Sequence, residues 1–179
     1  MRRRLFALLV VALVSGTVAG TVASAKGRVD IGARIPALPK LPEVANVCPV
    51  SARYRPAFSA AAHDTGLPLA MLVAVGQVES NLEADARSSA DARGLLQVLP
   101  STAAEMRLNP DLPRSNVLAG ARYLQQLLRR FHSTDLALAA YNAGPSAVAR
   151  AGGAPTVETV QYVAKVTGLW RNLRGCTTP

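Results

Sequence analysis

The stretch Leu69-Ala70-Met71-Leu72-Val73-Ala74-Val75-Gly76-Gln77-Val78-Glu79-Ser80-Asn81 decides how this sequence folds. It follows Pro68, a residue suited to a first helical turn, and Gly76 is its only helix breaker. The pattern predicts a helix over Leu69 to Ser80. Leu72 and Val75 precede Glu79 by seven and four residues, so the three share one face. A carboxyl group on a buried face is costly when ionised, so its pKa rises. A raised pKa is what a general acid needs near neutral pH. Taken alone, the same residue also reads as a capping or solvated glutamate at a helix margin.

The flanking segments are helical too. Ser51 to Thr65 is Ala-rich and closed by Gly66. Asn81 to Leu99 lacks helical periodicity and is rich in Ser, Ala and Asp, which reads as a long surface loop with room for a short hairpin. Pro100 to Met106 is a short helix. Ser115 reads as the N-cap of a helix over Asn116 to Phe131, with Val117, Leu118, Ala121, Leu124, Leu127 and Leu128 on one stripe. Thr134 to Asn142 is a further helix, ended by Gly144-Pro145, and Pro145 to Ala151 adds a turn or two. Thr156 to Leu173 is the last helix, with Val157, Val160, Val163, Ala164 and Val166 expected to face mostly inward. No strand run compares with these segments, and no internal repeat is visible. The expected class is a mainly α single domain.

A length of 179 residues fits one domain with appendages, and a 50% hydrophobic composition excludes a disordered chain. The 20 basic and 11 acidic residues give +9, which invites a nucleic-acid reading. The basic residues are scattered, however, and aromatics are only 4%, so there is little to stack bases on and no nucleic-acid partner is expected. Residues 1–25 have the layout of a secretory signal: Arg2-Arg3-Arg4, an apolar run from Leu5 to Val14, and Ala23-Ser24-Ala25 before a cut. An uncleaved membrane anchor over Leu5 to Ala25 is the alternative. Loss of that segment removes three of the basic residues and leaves +6. Residues 26–47 read as a linker, with Ile35-Pro36, Leu38-Pro39 and Leu41-Pro42 favouring either a stiff extended segment or a disordered leader. The remaining domain is 48–179. His63 and His132 stand alone, without Cys or acid clusters at ligand spacing, so no metal is expected. No phosphate-binding loop or Cys-His arrangement is present, and no cofactor is expected.

Four blocks now stand in order along the chain. Glu79-Ser80-Asn81 is followed by Ser88, then by Gly94-Leu95-Leu96-Gln97 with Pro100-Ser101-Thr102-Ala103 behind it. Ala139-Ala140-Tyr141-Asn142-Ala143-Gly144-Pro145 and Thr159-Val160-Gln161-Tyr162-Val163 come later. Together they resemble the Slt-type lytic transglycosylases, lysozyme-like enzymes that cut bacterial peptidoglycan, from about Leu67 to Val166. The resemblance implies a lysozyme-like fold with Glu79 as the catalytic glutamate. It implies that Ser88 and Gln97 line the saccharide cleft, and that Tyr141 and Asn142 help to hold the glutamate and the sugar N-acetyl group. The hydroxyl of Tyr162 would approach the glutamate. Asn116, with Val117 and Gly120, matches a helix start taken as structural.

The sequence departs from the family twice in the second block. Leu96 stands where the family has Met, and keeps apolar bulk. Asp91 stands where it has Gly; Asp tolerates the left-handed backbone better than most residues. Pointing inward, Asp91 would act on Glu79 or serve as a second carboxylate; pointing outward it is a turn residue, the reading adopted here. Glu83 and Asp85 read as solvated loop acids. The implied activity is cleavage between N-acetylmuramic acid and N-acetylglucosamine with a 1,6-anhydro product, one glutamate acting as acid and then as base. A lysozyme-type hydrolase and a non-catalytic wall-binding module are the alternatives. The implied partner is peptidoglycan in an exported, periplasmic or wall-associated setting. There a charge of +6 gives a weak association with anionic envelope polymers.

Cys48 and Cys176 are the only cysteines and bracket the domain, so export implies one disulfide between them. Closing so long a loop stabilises by about 4–5 kcal/mol in the chain-entropy model. Non-reducing peptide mass spectrometry is expected to find a Cys48–Cys176 cross-link; two free thiols in the exported protein would refute it.

Overall fold

Helix α1 (Arg55–Thr65) starts on Pro56 and stops at the left-handed Gly66, while α2 (Leu69–Ser80) starts after Pro68. The computed structural model describes residues 46–178; the expected signal at 1–25, the alternative anchor, and the linker up to residue 45 lie outside the described residues. Further along come α3 (Pro100–Glu105), α4 (Pro113–Phe131), α5 (Thr134–Ala143), α6 (Pro145–Ala151) and α7 (Val157–Asn172). Among the described residues there is no strand, only isolated bridges. None of these helices is long and apolar enough to cross a membrane.

Helix α2 is apolar all round and is accordingly the buried element. Ala70 through Gly76 are all buried, and α1 and α7 pack against it. Helix α4 carries the amphipathic stripe expected of it, and α1, α3 and α5 pack along it. Its start differs from the sequence reading. Pro113, with φ already fixed for a helix, opens the first turn and Leu112 takes the N-cap position, so Ser115 lies inside the helix. Ser133 and Thr156 do cap α5 and α7 through their side chains.

The last helix is rotated from the expected orientation. Thr159, Tyr162 and Val166 are buried, whereas Val157 and Val160 are 69% and 55% exposed and Ala164 is also outside. Two polar residues face inward there because other polar groups await them, so apolar character alone misjudged the inner face.

The segment between α2 and α3 is a loop, as expected. It carries antiparallel bridges Arg87 to Arg93 and Arg93 to Val98 rather than a regular hairpin. Its inner part, Leu95-Leu96, is fully buried. Buried loop backbone must find partners, and three side chains supply them. Ser80 Oγ donates to the Leu95 carbonyl (2.8 Å), Asn116 Oδ1 accepts from the Leu96 amide (2.9 Å), and Tyr141 Oη donates to the Leu96 carbonyl (2.8 Å). Asn116 Nδ2 also donates to the carbonyls of Arg93 (2.6 Å) and Pro110 (3.0 Å). The fit is close at Gly120, where a Cβ atom would lie 2.7 Å from the Leu96 side chain and 2.8 Å from Tyr141 Oη.

The two ends of the domain are tied together. Cys48 and Cys176 form a disulfide. Beside it the Cys48 amide donates to the Thr177 carbonyl (2.9 Å) and the Thr177 amide to the Asn46 carbonyl (2.8 Å). Asn46 and Val47, assigned to the linker from sequence, thus pair with the C-terminal residues.

Asn116 is fully buried and holds three backbone groups. Asn116→Ala is expected to lose about 3 kcal/mol or more in urea unfolding, because those groups would be left unpaired. Gly120→Ala is expected to cost about 1–3 kcal/mol through overpacking against Leu96. A loss below about 1 kcal/mol for Asn116→Ala would contradict this account.

Candidate active site

Helix α2 delivers Glu79 and then stops. Asn81 and Leu82 are both left-handed (φ 54° and 61°), and their amides return to the carbonyls of Gln77 and Gly76, each at 3.2 Å. A β-carbon costs energy in this backbone region, so the turn is a strained one held by its surroundings. Leu82 reaches back over Gly76, where any Cβ atom would come within 2.9 Å of it. Ser80 adds its bond to the Leu95 carbonyl. The helix end is therefore fixed on both sides of Glu79.

Glu79 is half-buried, and Tyr162 Oη on α7 donates to its Oε1 at 2.6 Å. Burial pushes the Glu79 pKa up to about 7, with the hydrogen bond from Tyr162 acting in the opposite direction. Burial, and then the Glu79 charge, push the Tyr162 phenol up as well, so Tyr162 stays protonated and is the donor of this pair. Every other acidic residue among the described ones is exposed. Glu83 and Asp85 belong to that exposed set.

Asp91 also points outward. It adopts the left-handed backbone (φ 62°) that a family glycine implies. Its carboxylate bonds Arg93 at 2.9 and 3.1 Å and lies 3.5 Å from Arg87. Both arginines reach on to Asp111, at 2.8 and 2.9 Å. The Arg93 hydrogen bond holds the Asp91 carboxyl below its ordinary range. Its contacts are therefore with the arginines of the loop surface, as a turn residue.

The remaining expected residues separate into two groups. Gln97, Tyr141 and Asn142 meet on a cavity of about 250 Å³, which Leu99, Thr102 and Tyr123 also line. Gln97 spends its Nε2 on the carbonyls of Ala86 (3.1 Å) and Gly94 (3.0 Å), leaving its side-chain oxygen unspent on these bonds. Tyr141 bonds the Leu96 carbonyl and not the glutamate, although the Glu79 charge contributes to raising its phenol pKa after burial. Ser88 is not among the residues lining that cavity. It is exposed, and its Oγ accepts from the Ala92 amide at 3.0 Å in a tight turn.

Two cavity-associated residues had no such role in the sequence reading. Tyr123 passes for core in a long helix, yet its ring lies on the cavity 5.4 Å from that of Tyr141. Asn116, Gly120 and Tyr123 are four and three residues apart, so they mark a second face of α4 that was available in the spacing. Thr159 lies in the fourth block, is buried, and bonds Asn142 Oδ1 at 3.1 Å. Nothing in its local sequence signals that contact, which joins α7 to the end of α5.

The family model described as "Transglycosylase SLT domain" matches residues 56–159. The chain belongs to this family. The SLT domain is 35% identical over 100 residues to membrane-bound lytic murein transglycosylase F 1 of Alkalilimnicola ehrlichii, covering 51% of this chain and 20% of the relative. It is 31% identical over 134 residues to the F enzyme of Desulfosudis oleivorans, covering 68% and 28%. Among solved structures it resembles an inactive mutant of the lytic transglycosylase Slt from Pseudomonas aeruginosa (TM-score 0.61, 29% identity), covering 69% of this chain and 25% of that one. It also resembles the 70 kDa soluble lytic transglycosylase SLT70 of Escherichia coli (TM-score 0.60, 25% identity), covering 70% and 25%. The chain thus spans between a fifth and somewhat over a quarter of the length of these relatives. The helical, lysozyme-like fold is that of the SLT domain.

A raised carboxyl pKa has a definite sign in stability. The unfolded chain releases the Glu79 proton near 4.5, while the folded SLT domain keeps it up to about 7. Folding is therefore favoured below pH 4.5 and loses stability as pH rises through 7, by roughly 3 kcal/mol. Glu79→Gln is expected to be more stable than the parent at pH 8, with the difference vanishing towards pH 4 (roughly, below the unfolded pKa). Urea unfolding across this range tests it; a difference independent of pH would refute the assignment.

Proposed function

We propose that this SLT domain is a peptidoglycan lytic transglycosylase that uses Glu79 first as acid and then as base. The observation that carries the reading is a half-buried carboxyl with a pKa of about 7, bonded to Tyr162, while the other acids among the described residues are exposed. Glycosidases that act through water or a covalent intermediate generally need a second carboxylate near the bond. A substrate that carries its own nucleophile does not.

In the first step Glu79 gives its proton to the oxygen bridging N-acetylmuramic acid and N-acetylglucosamine, and the C1–O bond breaks. The positive charge at C1 is met by the acetamido carbonyl of the same sugar. The C6 hydroxyl oxygen then closes on C1, and its proton goes to the Glu79 carboxylate. The products are a 1,6-anhydro end and a free N-acetylglucosamine hydroxyl; no water is consumed and Glu79 is again protonated. The bond from Tyr162 supports the first step, in which the carboxylate forms, since a hydrogen bond to a carboxylate stabilises its charged form. Gln97, Tyr123 and Asn142 supply the cavity in which a sugar ring would rest. The similarity to lytic murein transglycosylases, and to a Pseudomonas aeruginosa enzyme that a glutamate-to-glutamine change renders inactive, supports the same chemistry. Export through residues 1–25, a linker that ends before Asn46, and association of the basic domain with anionic wall polymers belong to this proposal.

Digestion of purified peptidoglycan followed by mass spectrometry is expected to give anhydro ends. Reducing ends, heavier by one water, would indicate the lysozyme-type hydrolase. Glu79→Gln is expected to lower product release by about 10²-fold or more, and the parent's rate is expected to fall above about pH 7 as the acid ionises. Fragment release by Glu79→Gln at the parental rate would refute the role of Glu79. No release by the parent would favour the wall-binding module.

A further inference from the structure

The first turn of α7 carries a short relay of hydroxyl groups. Thr156 Oγ accepts the Thr159 amide at 3.2 Å, which caps the helix. The two threonine hydroxyls are 3.2 Å apart. Thr159 is buried, and its hydroxyl donates to Asn142 Oδ1 at 3.1 Å. Three residues further along the same face, Tyr162 bonds Glu79. One helical face therefore holds both the carboxyl group and the carboxamide of the site.

A carboxamide has an acceptor edge and a donor edge, and which one faces a ligand depends on what holds the other. In Asn142 the oxygen edge is taken by Thr159. Asn142 is itself exposed and lines the cavity beside Gln97 and Tyr141. Its Nδ2 has no protein partner among the described residues, so two N–H groups are left to meet an acceptor.

We propose that Thr159 is a positioning residue, fixing the carboxamide of Asn142 with its N–H edge free for the acetamido carbonyl of a 2-acetamido sugar. This rests on the saccharide-binding part of the reading above and is independent of how the glycosidic bond is cut. With Thr159 unable to donate, the carboxamide can turn over and present its oxygen, which repels the sugar carbonyl. A valine at this position keeps the buried shape and removes only the hydroxyl.

Binding of an N-acetylglucosamine tetramer, followed by titration calorimetry in the Glu79→Gln protein, tests the proposal without turnover. Thr159→Val is expected to weaken binding by about tenfold, and Thr159→Ser, which keeps the hydroxyl, by about twofold at most. The cycle with Asn142→Ala separates positioning from packing. If Thr159 acts through Asn142, the double variant binds no worse than Asn142→Ala alone; independent effects multiply and overturn the proposal. Unchanged binding by Thr159→Val, or no tetramer binding by the Glu79→Gln protein, overturns it too. Should Thr159→Val melt below the assay temperature, Thr159→Ala takes its place in the cycle. Tetramer binding with the expected coupling, in a chain that releases no wall fragments, would leave Thr159 positioned as proposed and remove the transglycosylase reading.

Discussion

The structure depends on keeping the Leu95-Leu96 backbone inside the protein. The two side chains are fully buried, which draws an irregular segment into the core together with its amide and carbonyl groups. Away from water such groups cost about 1–3 kcal/mol each when unpaired. Ser80 comes from the end of α2, Asn116 from α4 and Tyr141 from α5, and each bonds this same segment. Residues far apart in the chain are thus bound to one short piece of loop. The end of α2 cannot shift without losing the Ser80 bond, and the cavity wall formed by Tyr141 is set by the Leu96 carbonyl. This gives three of the four sequence blocks a common physical reason.

The fourth block acts on the Glu79 carboxyl group. Burial alone makes Glu79 reluctant to ionise, and a carboxyl that never ionises is of no use as a base. The bond from Tyr162 works against burial and leaves the group balanced near neutrality, at about 7. The same helix turns Thr159 towards Asn142. Inward-facing polar residues on α7 thus explain its outward-facing valines, since one helix cannot bury both faces against the same neighbours.

The helices were legible because their signals are local: prolines at first turns, glycines at the ends, and the leucine stripe on α4. Glu79 was legible because it follows an apolar helix and opens the first of four blocks that resemble one family; the helix alone left a capping or solvated reading open. Other features were not. Pro113 overrode Ser115 at the start of α4 because a preset φ begins a helix one turn sooner. Ser88, expected in the cleft, lies in the loop with a side chain whose direction depends on a tight turn that periodicity does not encode. Tyr123 looked like core because half of a cavity wall has the same composition as a core.

By itself, the sequence determined the helical class, the order and approximate limits of the helices, the pairing of its only two cysteines, and which glutamate stands in apolar surroundings. These follow from short-range spacing, backbone preferences and residue counts. Only the tertiary structure decided what these polar side chains bond to: Tyr162 to Glu79, Tyr141 to the loop, and Thr159 to Asn142. The reason is that hydrogen bonds reach only about 3 Å. Partners separated by up to 83 residues meet only after the helices have packed.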